Sequence, residues 1–352
     1  MKHTIKKLFF RIAYGLLKIS RLAVSGNGFI FAVLPGRYDL LPLIKSYIYD
    51  LQRYAGHAVF TERPDNLQQL RSRITASYHV IEKGLSLKEP RPGFGLENIH
   101  HLIDLIEHYF NLGYPKDESQ VASALRVLSS YLNYHRTLGL AQPELEIKVK
   151  SLIALIETKS CDGGVLSPES GLLRKNRFKE FVDLAYSRHS IRNFGGTPVD
   201  IDLIMSAIEV AQRSPSVCNR QASRVYLLKD RKVIRDVLEC QNGNRGFGHL
   251  SDKLLVITSN LKSFYHPGER NQAFIDGGIF GMSLVYALHA QGLGTCTLNW
   301  SAVMEQDQAL RQVLPVRDEE VVIFLIAVGH IPDRLKVPVS HRLPLGEVVT
   351  VI

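Results

Sequence analysis

Apolar residues recur every three to four positions through the first half of the chain. Leu41, Ile44, Ile48 and Leu51 form one such set, and Leu70, Ile74, Tyr78 and Ile81 a second. Ile99, Leu102, Leu105, Ile106 and Tyr109 form a third, and Leu125, Leu128, Tyr131 and Leu132 a fourth. Each set lines one helix face, so residues 38–158 are predicted to be helical, with few strand signals. Residues 4–23 carry the same period with sharper contrast. Ile5, Leu8, Phe9, Ile12, Leu16 and Ile19 fall on one side, and Lys7, Arg11, Lys18 and Arg21 on the other. After residue 180 the texture changes. Runs 223–229, 253–260, 295–299 and 320–329 are rich in β-branched and apolar residues and read as strands. An apolar helix is predicted over 276–291, between two of them. The Gly-, Ser- and Pro-rich stretch 161–171 reads as a linker. The pattern therefore predicts a helical extension (1–160), a linker (161–178) and a domain of mixed helices and strands (179–352).

Composition narrows the class. Of 352 residues, 45% are hydrophobic and 22% charged, the balance of a globular chain and not of a disordered or fibrous one. Cys161, Cys218, Cys240 and Cys296 are scattered, without a Cys-x-x-Cys pair. That argues against a disulfide framework or a zinc site and suits a reducing cytoplasm. His100, His101 and His108 share one predicted helix but lack an evident third-ligand geometry, so no metal site is expected.

The net charge is +9, but Lys2, Lys6, Lys7, Arg11, Lys18, Arg21 and Arg37 all precede the first acid, Asp39, leaving +2 for the rest. The basic character belongs to the N-terminal arm and is no signature of nucleic-acid binding. As a basic amphipathic helix, 4–23 suits peripheral contact with an anionic membrane surface, or packing on its own protein or on a second copy.

Candidate chemistry lies in four segments of the C-terminal half. Arg188-His189-Ser190-Ile191-Arg192-Asn193-Phe194 offers two planar guanidinium forks and a hydroxyl at i, i+2 and i+4, a donor set suited to a phosphate. Ser214-Pro215-Ser216-Val217-Cys218-Asn219-Arg220-Gln221 offers amides that both donate and accept, the mixture a flavin ring edge requires. In Gly292-Leu293-Gly294-Thr295-Cys296, Gly292 is expected to cap a helix and Gly294 to let the backbone approach a ligand. The fourth, Val328-Gly329-His330-Ile331-Pro332, is followed by another cation, Arg342.

In this order the four segments resemble the nitroreductase superfamily, over roughly residues 180–350. The Arg-x-Ser-Ile-Arg-x-Phe and Pro-Ser-x-x-Asn-x-Gln blocks are its most specific marks. The resemblance implies an α+β fold, a central, mostly antiparallel sheet wrapped by helices, and a homodimer with FMN at each interface. By that resemblance Arg188, Ser190, Arg192 and Arg342 would hold the FMN phosphate, with His189 beside the ring or ribityl chain. Pro215, Ser216, Asn219 and Gln221 would line the ring and ribityl side. Backbone N–H groups of Leu298 or Asn299 would meet flavin O4 or N5. The helix over 276–291 would pack at the dimer interface through Gly277, Gly278 and Gly281, a face that intrachain packing would use equally. Where many relatives place a glycine or a Glu-Gly pair, this chain reads Thr297-Leu298-Asn299-Trp300, and the bulk of Trp300 is expected to narrow the pocket.

The implied activity is ping-pong hydride transfer from NAD(P)H through flavin N5 to a small-molecule acceptor. No protein acid or base is required, so no catalytic residue is assigned. Arg220 or Arg224 is the candidate for a positive charge near flavin N1 and O2. Two other readings stand beside this one: an FMN-dependent oxidase or dehydrogenase of a biosynthetic intermediate, and a non-catalytic, membrane-associated scaffold that keeps the flavin fold.

Overall fold

The computed structural model describes residues 41–157 and 162–352 and, ahead of them, four two-residue strands. β1 (Ala23–Val24) pairs with β2 (Ile30–Phe31), and β3 (Val33–Leu34) with β4 (Tyr38–Asp39), both antiparallel. The helix predicted over 4–23 lies, Ala23 aside, outside the described residues.

Five helices follow: α1 (Leu41–His57), α2 (Leu67–Leu85), α3 (Leu96–Asn111), α4 (Ser119–Thr137) and α5 (Pro143–Ile153). The apolar sets predicted for α2, α3 and α4 meet in one core, where Leu70, Ile74, Leu102, Ile106, Tyr109 and Tyr131 are fully buried. Local chemistry sets the helix starts. Asn66 Oδ1 accepts the N–H groups of Gln68 and Gln69 ahead of α2, and Pro143 occupies the first turn of α5.

α1 does not join that core. Tyr54 and Ala58 pack with Ala222, Leu261, Phe264, Ala273 and Val321 of the C-terminal half. The Tyr49 hydroxyl donates to Asp307 Oδ2 (2.7 Å), and Arg53 Nη2 donates to the Asp318 carbonyl (3.0 Å). The start of the predicted linker is docked as well: Gly164 N–H donates to Glu82 Oε1 (3.3 Å), and a Cβ on Gly163 would fall 2.6 Å from the Ser123 carbonyl oxygen.

The C-terminal half runs α6 (Phe178–Ser187), α7 (Ile201–Ala211), β5 (Ser223–Leu228), α8 (Arg231–Glu239), β6 (Lys253–Asn260), α9 (Gln272–Ala290), β7 (Leu293–Asn299), α10 (Met304–Val313) and β8 (Glu320–His330). The order β5-β6-β8-β7 with every pairing antiparallel makes this an α+β fold. Strand alternation splits the core in two. Leu255, Ile257, Ile326 and Val328 face α7 and α9, while Leu254, Val256, Leu325 and Ala327 face α8 and α10.

α9 starts four residues earlier than predicted, because its polar first residue, Gln272, gives no apolar signal. A Cβ on Gly277 would lie 2.6 Å from Ile323 Cγ1, and one on Gly281 2.1 Å from Phe324 Cζ. These glycines let α9 lie close on β8, so intrachain packing takes that small-residue face. Gly278 alone of the three looks onto open space.

Candidate functional site

The chain leaves α6 in extended backbone at Arg188 (φ −74°, ψ 122°). Ser190 then forms a parallel bridge to Thr295 on edge strand β7, with Ile191 N–H donating to the Thr295 carbonyl (2.8 Å). Extended backbone alternates sides, so Arg188, Ser190 and Arg192 share one side and Ile191 turns to the other. There a Cβ on Gly294 would be 3.2 Å from Ile191 Cγ2. Phe194 is accommodated likewise, since a Cβ on Gly329 would be 2.7 Å from its ring. Gly294 therefore admits the chain's own Ile191, where the sequence reading had it admit a ligand.

Burial pushes the Cys296 thiol pKa up, and both Arg192 and Arg188 act against that, so the two guanidinium groups converge on one region. Among the described residues no carboxylate pairs with either arginine, and the Ser190 hydroxyl has no hydrogen-bond partner. The Arg192 guanidinium lies over the Phe247 ring, 5.7 Å from its centroid. Two cations and a hydroxyl with no internal anion are a donor set that fits a terminal phosphate. His189 is exposed nearby; burial lowers the pKa of His289, and Arg188 and His189 lower it further.

The Ser214–Gln221 segment, numbered 214–221, is a strained loop. Cys218 (φ 48°), Asn219 (φ 53°) and Gln221 (φ 51°) adopt left-handed backbone, three of the four non-glycine residues to do so among those described. Each costs about 1–2 kcal/mol. The surroundings hold the loop in place. Arg220 is buried and grips Glu269 with Nη1 (3.1 Å) and Nη2 (2.5 Å), while its Nε donates to the Val217 carbonyl (3.1 Å). Val217 N–H donates to Asp276 Oδ2 (3.1 Å), and Gln221 N–H to Ser216 Oγ (3.1 Å). Glu269 neutralises Arg220, which is thereby a clamp on the loop and not the free cation foreseen for flavin N1 and O2. Pro215 and Gln221 are exposed, and Ser216 and Asn219 half-buried.

The two segments do not share a pocket within one chain. Thr295, beside Ser190, lies level with Val328 of β8, whereas Ser223, just after Gln221, lies level through Ser259 with Val321. Three strand spacings and the seven residues from Val321 to Val328 put them at opposite corners of the sheet, ~27 Å apart.

At the end of β7, alternation separates the two backbone candidates. Thr295 turns its carbonyl outward to Ile191, so Asn299 presents its backbone outward as well and Leu298 turns its own toward β8. The Asn299 carbonyl accepts Gln241 Nε2 (3.0 Å), and the Leu298 side chain is buried. Trp300, expected to narrow the pocket, packs its indole on the α8–α10 core and donates to Asp307 Oδ1 (3.1 Å). Arg342 lies in an exposed tail, donating to the Ser340 carbonyl, and is not drawn to the other arginines within this chain.

A cleft of about 510 Å³ opens beside the strained loop. Pro215, Ser216, Gln221 and Arg224 form one wall; Gln68, Arg71 and Thr75 of α2, with Gln120 of α4, form the other. The sequence reading assigned nothing in 1–160 to the site. This contact joins residues some 150 positions apart, and no local pattern announces it. His108 pairs with Asp65 (3.0 Å), and no group of three His, Cys, Asp or Glu able to hold a metal occurs among the described residues.

The model of the nitroreductase family matches residues 185–244 and 237–330. A Thermus thermophilus protein described as NADH dehydrogenase is 25% identical over 198 residues, 47% of this chain and 92% of that protein. An Archaeoglobus fulgidus protein, provisionally described as NADH dehydrogenase/NAD(P)H nitroreductase, is 22% identical over 155 residues, 44% of this chain and 87% of that one. A Desulfovibrio desulfuricans structure, provisionally described as a nitroreductase and solved with FMN, aligns at 19% identity and TM-score 0.43 over 50% of this chain and 96% of its own.

Proposed function

With residues 185–330 forming a nitroreductase-family domain, we propose that the protein is an FMN-dependent oxidoreductase passing hydride from NAD(P)H to a small-molecule acceptor. The observation that carries this is the donor set Arg188, Ser190 and Arg192, which share one side of an extended segment and have no anion of their own among the described residues. FMN, when bound, supplies the electron-carrying chemistry at N5. The chain's own residues bind and orient. Arg188, Ser190 and Arg192 hold the phosphate end; Arg342, apart from them within one chain, joins only if the second copy's tail brings it there. Pro215, Ser216, Asn219 and Gln221 border the ring and ribityl side, and the outward Asn299 N–H supplies a donor at the open edge of β7. The description of the Thermus relative supports NADH as a donor.

The working unit in this reading is a homodimer. Two half-sites at opposite corners of one sheet become whole sites when a two-fold axis brings one copy's arginines beside the other copy's loop. The outer face of α9 suits that contact, with Phe274, Ile275, Ile279 and Met282 exposed in an apolar strip. The free thiols Cys218, Cys240 and Cys296 suit a reducing cytoplasm.

The test is the visible spectrum of the purified protein, with identification of the released chromophore. A flavin spectrum, release of FMN, and anaerobic bleaching by NADH or NADPH are expected. Colourless protein that takes up no added FMN overturns the reading.

A further inference from the structure

We propose that the helical extension builds the substrate wall of this active site, and that Arg71 of α2 and Arg224 of β5 together bind an anionic group, carboxylate or phosphate, on the acceptor. The substrate role rests on the flavin reading above; the anion site itself rests on the cleft. That cleft is walled by both halves of the chain and has the size of a small-molecule site.

Hydrogen-bond bookkeeping shows what the cleft lacks. All but one of its carboxylates are committed, the exception being the exposed Asp117. Glu118 takes Arg71 Nη2 and the Gln120 N–H, and Asp276 takes Val217 N–H and Gln272 Nε2 (2.7 Å). Gln120 Oε1 takes Thr75 Oγ1 (3.2 Å) and the Tyr78 hydroxyl (2.5 Å). The donors are left over. Arg71 gives Nη1 to Gln68 Oε1 (3.3 Å) and Nη2 to Glu118, and its buried Nε has no hydrogen-bond partner. Arg224 spends Nη1 on the carbonyls of Gln221 (2.8 Å) and Ser223 (2.7 Å) and pairs with no carboxylate among the described residues. The two guanidinium groups also feel each other: burial lowers the Arg224 pKa, and Arg71 and Arg317 lower it further against the pull of Glu320. A bound anion relieves that repulsion and takes up the N–H groups that Arg224 leaves free.

The wall is fixed relative to the strained loop. The Tyr265 ring lies 4.2 Å from the Arg73 guanidinium of α2 and 4.6 Å from that of Arg220. Ser72 Oγ and Gln68 Nε2 both reach Ser263 Oγ, at 3.4 and 3.5 Å. An acceptor anchored on Arg71 and Arg224 therefore presents its other end to Ser216 and Gln221, the side assigned to the flavin.

The full-length protein, purified as it comes, is titrated with benzoate, phenyl phosphate and the neutral benzamide, followed by calorimetry and by the flavin spectrum. At least one anion is expected to bind about tenfold or more tighter than benzamide, and the better of the two identifies the group. Arg71→Gln and Arg224→Gln are each expected to erase most of that preference, with benzamide affinity and thermal midpoint held. Among the described residues Arg224 has no carboxylate partner, so its variant stands as the test should loss of the Arg71–Glu118 pair unfold the other. Equal binding of all three probes, a preference that survives both substitutions, or displacement of benzoate by excess FMN overturns the proposal. Arginine-dependent anion binding by a protein that takes up no FMN refutes the flavin reading and leaves the anion site standing; a flavoprotein without anion preference does the reverse.

Discussion

Arg188 and Arg220 show the two uses to which this chain puts a guanidinium. Among the described residues neither Arg188 nor Arg192 pairs with a carboxylate, and Arg192 only lies over the Phe247 ring, so Arg188→Ala or Arg192→Ala removes a ligand contact and little else. Charge-assisted hydrogen bonds contribute about 1.5–3 kcal/mol. FMN titrated into apoprotein is therefore expected to bind roughly ten- to a hundredfold more weakly, with circular dichroism and thermal midpoint unmoved. Arg220→Ala does the opposite. It leaves the half-buried Glu269 without its partner and frees three left-handed residues, at a cost of about 3 kcal/mol read by urea unfolding. The same pair sets a pH dependence. Burial alone would raise the Glu269 carboxyl, but the hydrogen bond from Arg220, then that from Tyr265 N–H, hold it below the usual 4.5. A depressed native pKa means that the stabilisation is complete above the unfolded value and is lost as pH falls through the native one. Between about pH 5 and 3 the wild-type midpoint is expected to fall more steeply than that of Glu269→Gln. The motifs were legible at this scale as motifs, but their members divide. Ile191 and Phe194 pack on Gly294 and Gly329, so part of each pattern records how two segments fit together and not what they bind. The left-handed run at 218, 219 and 221 left no trace in the sequence, because none of its members is a glycine.

Elements were legible where their period had length to show itself. The apolar sets in α2, α3 and α4 span several turns, and β6 and β8 are the long inner strands. The two-residue strands ahead of α1 are too short for alternation to register. α9 shows how composition alone misleads. Among the described helices it is the one long and apolar enough to cross a membrane, yet half of that span is buried in the protein. Its glycines fix how near it lies to β8. Gly281→Ala drives a Cβ toward Phe324, and overpacking of this kind costs about 1–3 kcal/mol, to be read as a lowered thermal midpoint. Gly278→Ala meets nothing within 4 Å in the chain and is expected to leave that midpoint unchanged or slightly raised.

The whole molecule is not a flavin domain with a loose appendage. α1 packs beneath the sheet domain, and α2 walls the cleft beside the strained loop. The sequence indicated that a helical extension existed but not where it docks, because docking is decided by contacts such as Tyr49 with Asp307, 258 positions apart. At this scale the proposed homodimer makes its own prediction. Ile279→Glu places a charge in the exposed apolar strip of α9. It is expected to shift sedimentation from dimer to monomer and to lose FMN together with the dimer, because each chain would keep only half-sites. A monomer that retains stoichiometric FMN would refute the shared site.

Asp307 ties several parts of the molecule at one point: it receives Tyr49 from α1, Arg311 from α10 and the indole of Trp300. Trp300 is the sole tryptophan of the chain. Its emission therefore reports from a single place, the junction where the extension meets the sheet domain. Tyr49→Phe, which removes one hydroxyl from the shared carboxylate, is expected to shift that emission without touching either half-site. The molecule thus carries a native optical gauge of whether its two halves are seated.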